Sequence, residues 1–212
     1  MLTKSLTRPN RSLTATVLAV AIAVAIAVTV AATPSHGCVG RKLVLGSVDD
    51  DRSAMVMRVL SILIHERTGT TVEVKYFRDR GKLLGSVKKG KVDLYVDAVD
   101  DALRRMGEDG SSFSPGERFS MIKRRFDEEK NLIWLKPMGY TEKDSRGNPL
   151  GRAAVVVGKD TLKMFPAPPR LLEKIGTRIV LDDKLLDTLV GRGQAEKPSK
   201  VARNFLKEVK LI

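Results

Sequence analysis

The chain holds one cysteine and two histidines in 212 residues. A single cysteine excludes an internal disulfide framework. Cys38, His36 and His65 are too few for a Cys- or His-rich metal site. Rings are scarce as well: aromatic residues make up 5% of the chain, with one tryptophan and three tyrosines. No Gly-x-x-x-x-Gly-Lys-Ser/Thr loop, His-Glu-x-x-His pair or Gly-x-Ser-x-Gly elbow occurs, so no catalytic constellation presents itself. Neither an enzyme nor a cofactor is expected. At 42% hydrophobic the chain can nonetheless build a core, and its length allows one ordinary domain or two small ones.

Acids are also missing from Met1–Cys38, where Lys4, Arg8 and Arg11 carry three of the thirteen net positive charges. An uncharged run of Ala, Val, Ile, Leu and three Thr follows from Leu13 to Ala32, and then Pro34-Ser35-His36-Gly37-Cys38. A basic flank, an apolar stretch and small residues are the order of an export signal. The run is long for a signal peptide and just long enough to span a bilayer. Two outcomes stay open: cleavage with lipid on Cys38, or an uncleaved membrane anchor. The Lys/Arg-only flank puts the rest of the chain on the extracytoplasmic, or periplasmic, face of the cytoplasmic membrane.

After residue 40 the pattern alternates. Arg41 to Gly46 reads as a buried strand, and a helix then runs from Asp49–Arg52 to about Arg67. Its stripe is Met55, Val56, Val59, Leu60 and Leu63, with Ile62 and Ile64 widening it, and Gly69 is its C-cap. Thr71 to Tyr76 and Val92 to Val96 are further strands, with a helix at Arg80 to Lys89 between them and another near Asp100 to Met106. Three strands alternating with helices predict an α/β fold with a parallel sheet. Gly107 to Gly116 is the best internal boundary, dividing a first lobe at 41–113 from 114–212. Ser114-Pro115-Gly116-Glu117 is a capping box that opens a helix burying Phe119, Ile122 and Phe126. Leu132 to Leu135 and Ala153 to Val157 read as strands, separated by a polar stretch from Thr141 to Asn148. Helices at Asp182 to Val190 and Pro198 to Val209 close the chain.

Several of these segments, in this order, resemble a known family. Lys42-Leu43-Val44-Leu45-Gly46-Ser47, the apolar helix, Gly69 before a Val-rich strand, and Lys89-Gly90-Lys91-Val92-Asp93-Leu94-Tyr95 are similar to the first lobe of bacterial solute-binding proteins for glycine betaine, choline and related osmoprotectants. Leu132 to Tyr140 resembles the stretch that crosses into their second lobe, and Ala167 to Ile212 their carboxyl terminus. The resemblance implies a periplasmic-binding-protein-like fold in which two α/β lobes close on a solute and deliver it to an ABC permease. Here the middle of the second lobe is missing between about Lys159 and Pro166, so 114–212 is expected as a crossover and a shortened second lobe. The family's Gly-Ser-Lys-x-Phe-Thr-Glu stands as Gly46-Ser47-Val48-Asp49-Asp50-Asp51-Arg52.

A quaternary ammonium has no N–H to donate and is held by ring faces. Tyr95 follows a first-lobe strand, while Trp134 and Tyr140 sit near the crossover, so the three could converge on such a solute; a core role is the other reading. Ser47 enters through the resemblance. Asp49, Asp50 and Asp51 follow the first strand and Asp97, Asp100 and Asp101 the third, where an open parallel sheet gathers its ligands. Asp49 and Asp97 are the candidates to hold a cation, either an amine or Ca²⁺ or Mg²⁺. The other reading makes both triplets helix N-terminal acids. Lys88-Lys89, Arg104-Arg105 and Lys123-Arg124-Arg125 suit a solvated face, anionic lipid or envelope polymers better than nucleic acid. The expected protein is a membrane-anchored capturer of a small cationic solute, or else an accessory protein that kept the fold and lost the ligand.

Overall fold

The computed structural model describes residues 40–212 except 145, 176, 178 and 179. The predicted leader and Cys38 lie outside the described residues. Arg41–Ile212 forms one compact unit. Its strands are β1 (Leu43–Val48), β2 (Val72–Phe77), β3 (Leu94–Ala98), β4 (Leu132–Lys143) and β5 (Pro149–Gly158). Its helices are α1 (Asp51–Thr68), α2 (Arg80–Lys88), α3 (Val99–Arg105), α4 (Pro115–Glu129), α5 (Lys159–Met164), α6 (Ala167–Leu172), α7 (Asp183–Ala195) and α8 (Pro198–Glu208).

The five strands form one sheet in the order β2-β1-β3-β5-β4. β1 pairs in parallel with β2 and β3, while β5 runs antiparallel to both β3 and β4, so four strands point one way. The two strands of 114–212, the segment expected as crossover and shortened second lobe, thus join the sheet that β1, β2 and β3 begin. Helices cover both faces. Leu43, Leu45, Leu94, Val96, Val155 and Val157 meet α1, α6, α7 and α8, and the alternate positions Tyr95, Trp134, Ala154 and Val156 meet α2, α3 and α4.

Local chemistry sets the element ends. Asp50 accepts from the Ser53 amide at 2.9 Å and caps α1, whose buried side is the predicted stripe, Ile64 included, with Ser53 and Met57 added and Ile62 only half-buried. Gly69 ends it at φ 68°, donating to His65 O. The predicted capping box closes from both sides, Ser114 N to Glu117 Oε2 at 2.8 Å and Glu117 N to Ser114 Oγ at 3.4 Å. Gly46 is required for packing: a Cβ there would stand 2.6 Å from Leu83 Cδ1 of α2.

The short helices α5 and α6 stand where the sequence reading placed no element, and three further elements run longer than it gave them. β4 and β5 run well past their apolar runs, β4 into the stretch expected as a polar separation as far as Lys143 and β5 from Pro149 directly after it, because Thr141–Arg152 and Glu142–Gly151 pair through backbone whatever their side chains. Asp144 then closes the hairpin, accepting from Arg146 N and Asn148 N at 2.8 Å each. α7 continues through Gly191 and Gly193 to Ala195; at Gly193 a Cβ would meet Met55 Cε at 2.8 Å, so the helix gains close packing on α1. Among the described residues no helix is long and apolar enough to cross a membrane.

Candidate functional site

The carboxyl ends of β1, β3 and β4 share one edge of the sheet, the position where open α/β sheets gather their ligands. Asp97, the fourth residue of β3, is wholly buried there. Arg80 Nη1 reaches its Oδ1 at 2.6 Å, Arg105 Nη2 its Oδ2 at 2.5 Å, and the Ala98 amide donates to Oδ1 at 2.9 Å. Burial pushes the Asp97 carboxyl up, and the two guanidiniums pull against that. Asp101 is bridged by Arg105 and Arg104 and stands 3.8 Å from Arg80 Nε, while Asp100 pairs with Arg118 at 3.1 Å.

Arginine, then, answers the acids after β3. Those after β1 divide differently: Asp50 is the α1 cap, and Asp49 and Asp51 point to solvent. No group of three or more His, Cys, Asp or Glu among the described residues is arranged to hold a metal ion. The six carboxylates expected to crowd one rim therefore do not form an open cation site. Asp97 itself carried the missing signal: an acid inside the apolar run Leu94-Tyr95-Val96-Asp97-Ala98 must bury beside a cation or neutralise.

Of the three aromatic candidates, the structure brings two together. Tyr95 and Trp134 both register against Val156 and share the α2–α3–α4 face, where Phe126 meets Trp134 edge-on at 5.4 Å. Tyr140 lies in the opposite cluster. With an unbroken two-residue period Trp134 and Tyr140 would face the same way, but register shifts on either side of Pro137 turn the strand over. All three rings are about 1% exposed, so they do not form an open cage.

Around Tyr140 a different cluster assembles. Ser47, Arg80, Tyr140 and Glu142 line a small cavity of about 10 Å³, room for a single water. Tyr140 Oη donates to Glu142 Oε1 at 3.4 Å. Glu142 is 7% exposed, and burial raises its carboxyl to about 7, with Arg80 opposing. The guanidinium of Arg52 stands over the Tyr140 ring.

A second cavity at this edge holds about 320 Å³, between the first turns of α3 and α4 and the β4–β5 hairpin. Asp100, Arg118, Phe119, Thr141 and Arg152 line it. Gly151 makes the close approach possible, since a Cβ on it would lie 2.7 Å from the Asp100 amide nitrogen. Of these residues only Asp100 stood in the predicted acid clusters. Phe119 read as a core position, and nothing in the local sequence links Arg118 or Arg152 to Asp100.

The profile of the OpuAC family, described as the substrate binding domain of ABC-type glycine betaine transport systems, matches residues 41–147. No curated protein matches the chain. Apo YehZ from Escherichia coli superposes with a TM-score of 0.70 at 13% identity, covering 81% of this chain and 99% of that one. A glycine betaine/carnitine/choline ABC transporter structure superposes with a TM-score of 0.65 at 10% identity, covering 81% and 98% respectively.

Proposed function

Because the chain belongs to the family of substrate-binding domains of ABC-type glycine betaine transport systems, we propose that it captures a small solute bearing a quaternary ammonium and passes it to an ABC permease. The observation that carries this reading is the cavity of about 320 Å³ at the carboxyl edge of the sheet. Its volume is that of a small-molecule site. Asp100 and the half-buried Phe119 offer the carboxylate and ring that attract such a cation. Arg152 offers the complementary charge for the carboxylate of a zwitterion, while Arg118 holds Asp100 in place through their 3.1 Å ion pair. Calorimetry with glycine betaine, choline and carnitine tests the reading. Saturable heat that disappears in Asp100→Asn and Phe119→Ala supports it.

The same proposal includes export. Leu13–Ala32 would carry the chain to the extracytoplasmic face, where lipid on Cys38 or the uncleaved helix would hold it beside the permease. Fatty-acid labelling of the wild type and of Cys38→Ala separates these two anchors.

One observation favours a second reading, an envelope accessory protein that no longer binds solute. Tyr140 already faces a cation of the protein's own, Arg52, and Tyr95 and Trp134 are closed into the core. Absence of heat with all three solutes at millimolar concentration would select it.

A further inference from the structure

A larger cavity lies at the opposite, amino-terminal edge of the sheet, away from the solute site proposed above. It holds about 780 Å³ between the last turns of α2 and α4 and the residues that end α3. Leu84, Val87, Met106 and Phe126 give it apolar walls. Lys88, Lys130, Arg105 and Arg125 stand around it against the single acid Glu129. Arg105 is committed to Asp97 and Asp101, and Arg125 to Glu108 and Glu129. Lys88 and Lys130 take part in no ion pair among the described residues.

Tyr95 also lines this cavity. Its side chain is 1% exposed, yet its hydroxyl has no hydrogen-bond partner. Buried hydroxyls are almost always paired, so this one marks a place where an acceptor belongs. Trp134 Nε1, in the same side-chain cluster, is likewise buried and unpartnered.

We propose that this cavity is a second binding site, for a free amphiphilic carboxylate whose apolar body lies on Leu84, Val87, Met106 and Phe126 and whose head accepts from the Tyr95 hydroxyl. The cationic surround selects an anion and rejects a quaternary ammonium. The depth of the hydroxyl selects a free molecule, because the head of a lipid held in a bilayer does not reach a buried donor.

The probe is octanoate, titrated into the full chain in a neutral detergent. Trp134, the only tryptophan, packs edge-on against the wall residue Phe126 and reports occupancy through its emission. A saturable shift is expected with octanoate and none with octylammonium. Tyr95→Phe, which keeps the ring and removes the donor, should weaken octanoate roughly tenfold or more. Lys88→Gln with Lys130→Gln, both surface changes, should weaken it independently. The proposal is overturned if neither Trp134 emission nor saturation-transfer NMR shows saturable octanoate binding. It is equally overturned if octanol binds as well as octanoate and both variants bind like wild type.

Discussion

The guanidinium carbon of Arg52 lies 5.9 Å from the centroid of the Tyr140 ring. Asp183 holds that guanidinium at 2.5 Å and Asp187 bridges it too, so two residues of α7 fix a cation from α1 over a ring from β4. Tyr140 is thereby supplied with the kind of partner that a quaternary-ammonium solute would be.

Removing that partner gives the first prediction. Arg52→Ala forfeits a cation–π contact of about 0.5–1 kcal/mol and two solvent-facing ion pairs of about 0–1 kcal/mol each. Stability in urea should fall by about 1–2 kcal/mol. Choline, measured by calorimetry, should bind the variant more tightly than the wild type. Lost stability with no gain in choline affinity would show that the Tyr140 ring is core only.

Glu142 gives a pH prediction. Its carboxyl stands near 7 in the folded protein, against an ordinary 4.5, chiefly through burial. Between those values the folded state keeps a proton that the unfolded chain has released. The resulting stability is fully present below about pH 4.5 and drains away as pH rises through 7, a total of about 3 kcal/mol. Glu142→Gln has no such proton. The stability of wild type minus that of the variant should therefore fall by about that amount between about pH 4.5 and pH 8. A constant difference in urea titrations would leave Glu142 with an unshifted carboxyl.

The order of elements from Leu43 to Arg105 is legible in the sequence because local signals there agree with the tertiary structure. The α1 stripe has a helical period, Gly69 stops it, and each strand is an apolar or alternating run. The site is less legible. Tyr140 and Trp134 point to opposite faces because two register shifts intervene, and a shift of that kind leaves no mark in a two-residue pattern. Asp97 meets Arg80 and Arg105 only after β3 is laid between α2 and α3, so the charges look dispersed in one dimension and paired in three. The cavity of about 320 Å³ at the carboxyl edge draws its lining from α3, α4, β4 and β5, which no single segment reveals.

Gly151 gives a prediction that joins fold and site. Its φ of 105° is unfavourable for any side chain, and a Cβ would press on the amide nitrogen and carboxyl carbon of Asp100 at 2.7 Å. Backbone cannot yield as a side-chain tip can. Gly151→Ala should cost about 1–3 kcal/mol in urea unfolding. Because the strain falls on a cavity wall, any betaine heat seen in the wild type should weaken as well. An unchanged midpoint and unchanged heat would mean that the hairpin shifts freely past α3.

The last prediction separates two accounts of the acids at the carboxyl edge. If they formed an open rim of like charges, removing one would relieve repulsion, stabilise the protein and abolish any rise in melting temperature with Ca²⁺ or Mg²⁺. The observed pairing demands the reverse. Asp97 is the common counter-charge of Arg80 and Arg105, and those guanidinium side chains are themselves largely buried, at 18% and 29% exposed. Asp97→Ala leaves both facing a gap, with Asp101 as their remaining acid. Breaking a buried pair by deleting one partner costs about 3–5 kcal/mol, because the survivor keeps its desolvation without its attraction. Combining Asp97→Ala with Arg80→Ala should cost less than the two single changes together, by about 0.5–3 kcal/mol. Urea unfolding of the four proteins checks this, with melting curves in Ca²⁺ and Mg²⁺ beside them. A more stable Asp97→Ala variant, together with a wild type that either ion stabilises, would refute the arginine pairing and restore the cation site.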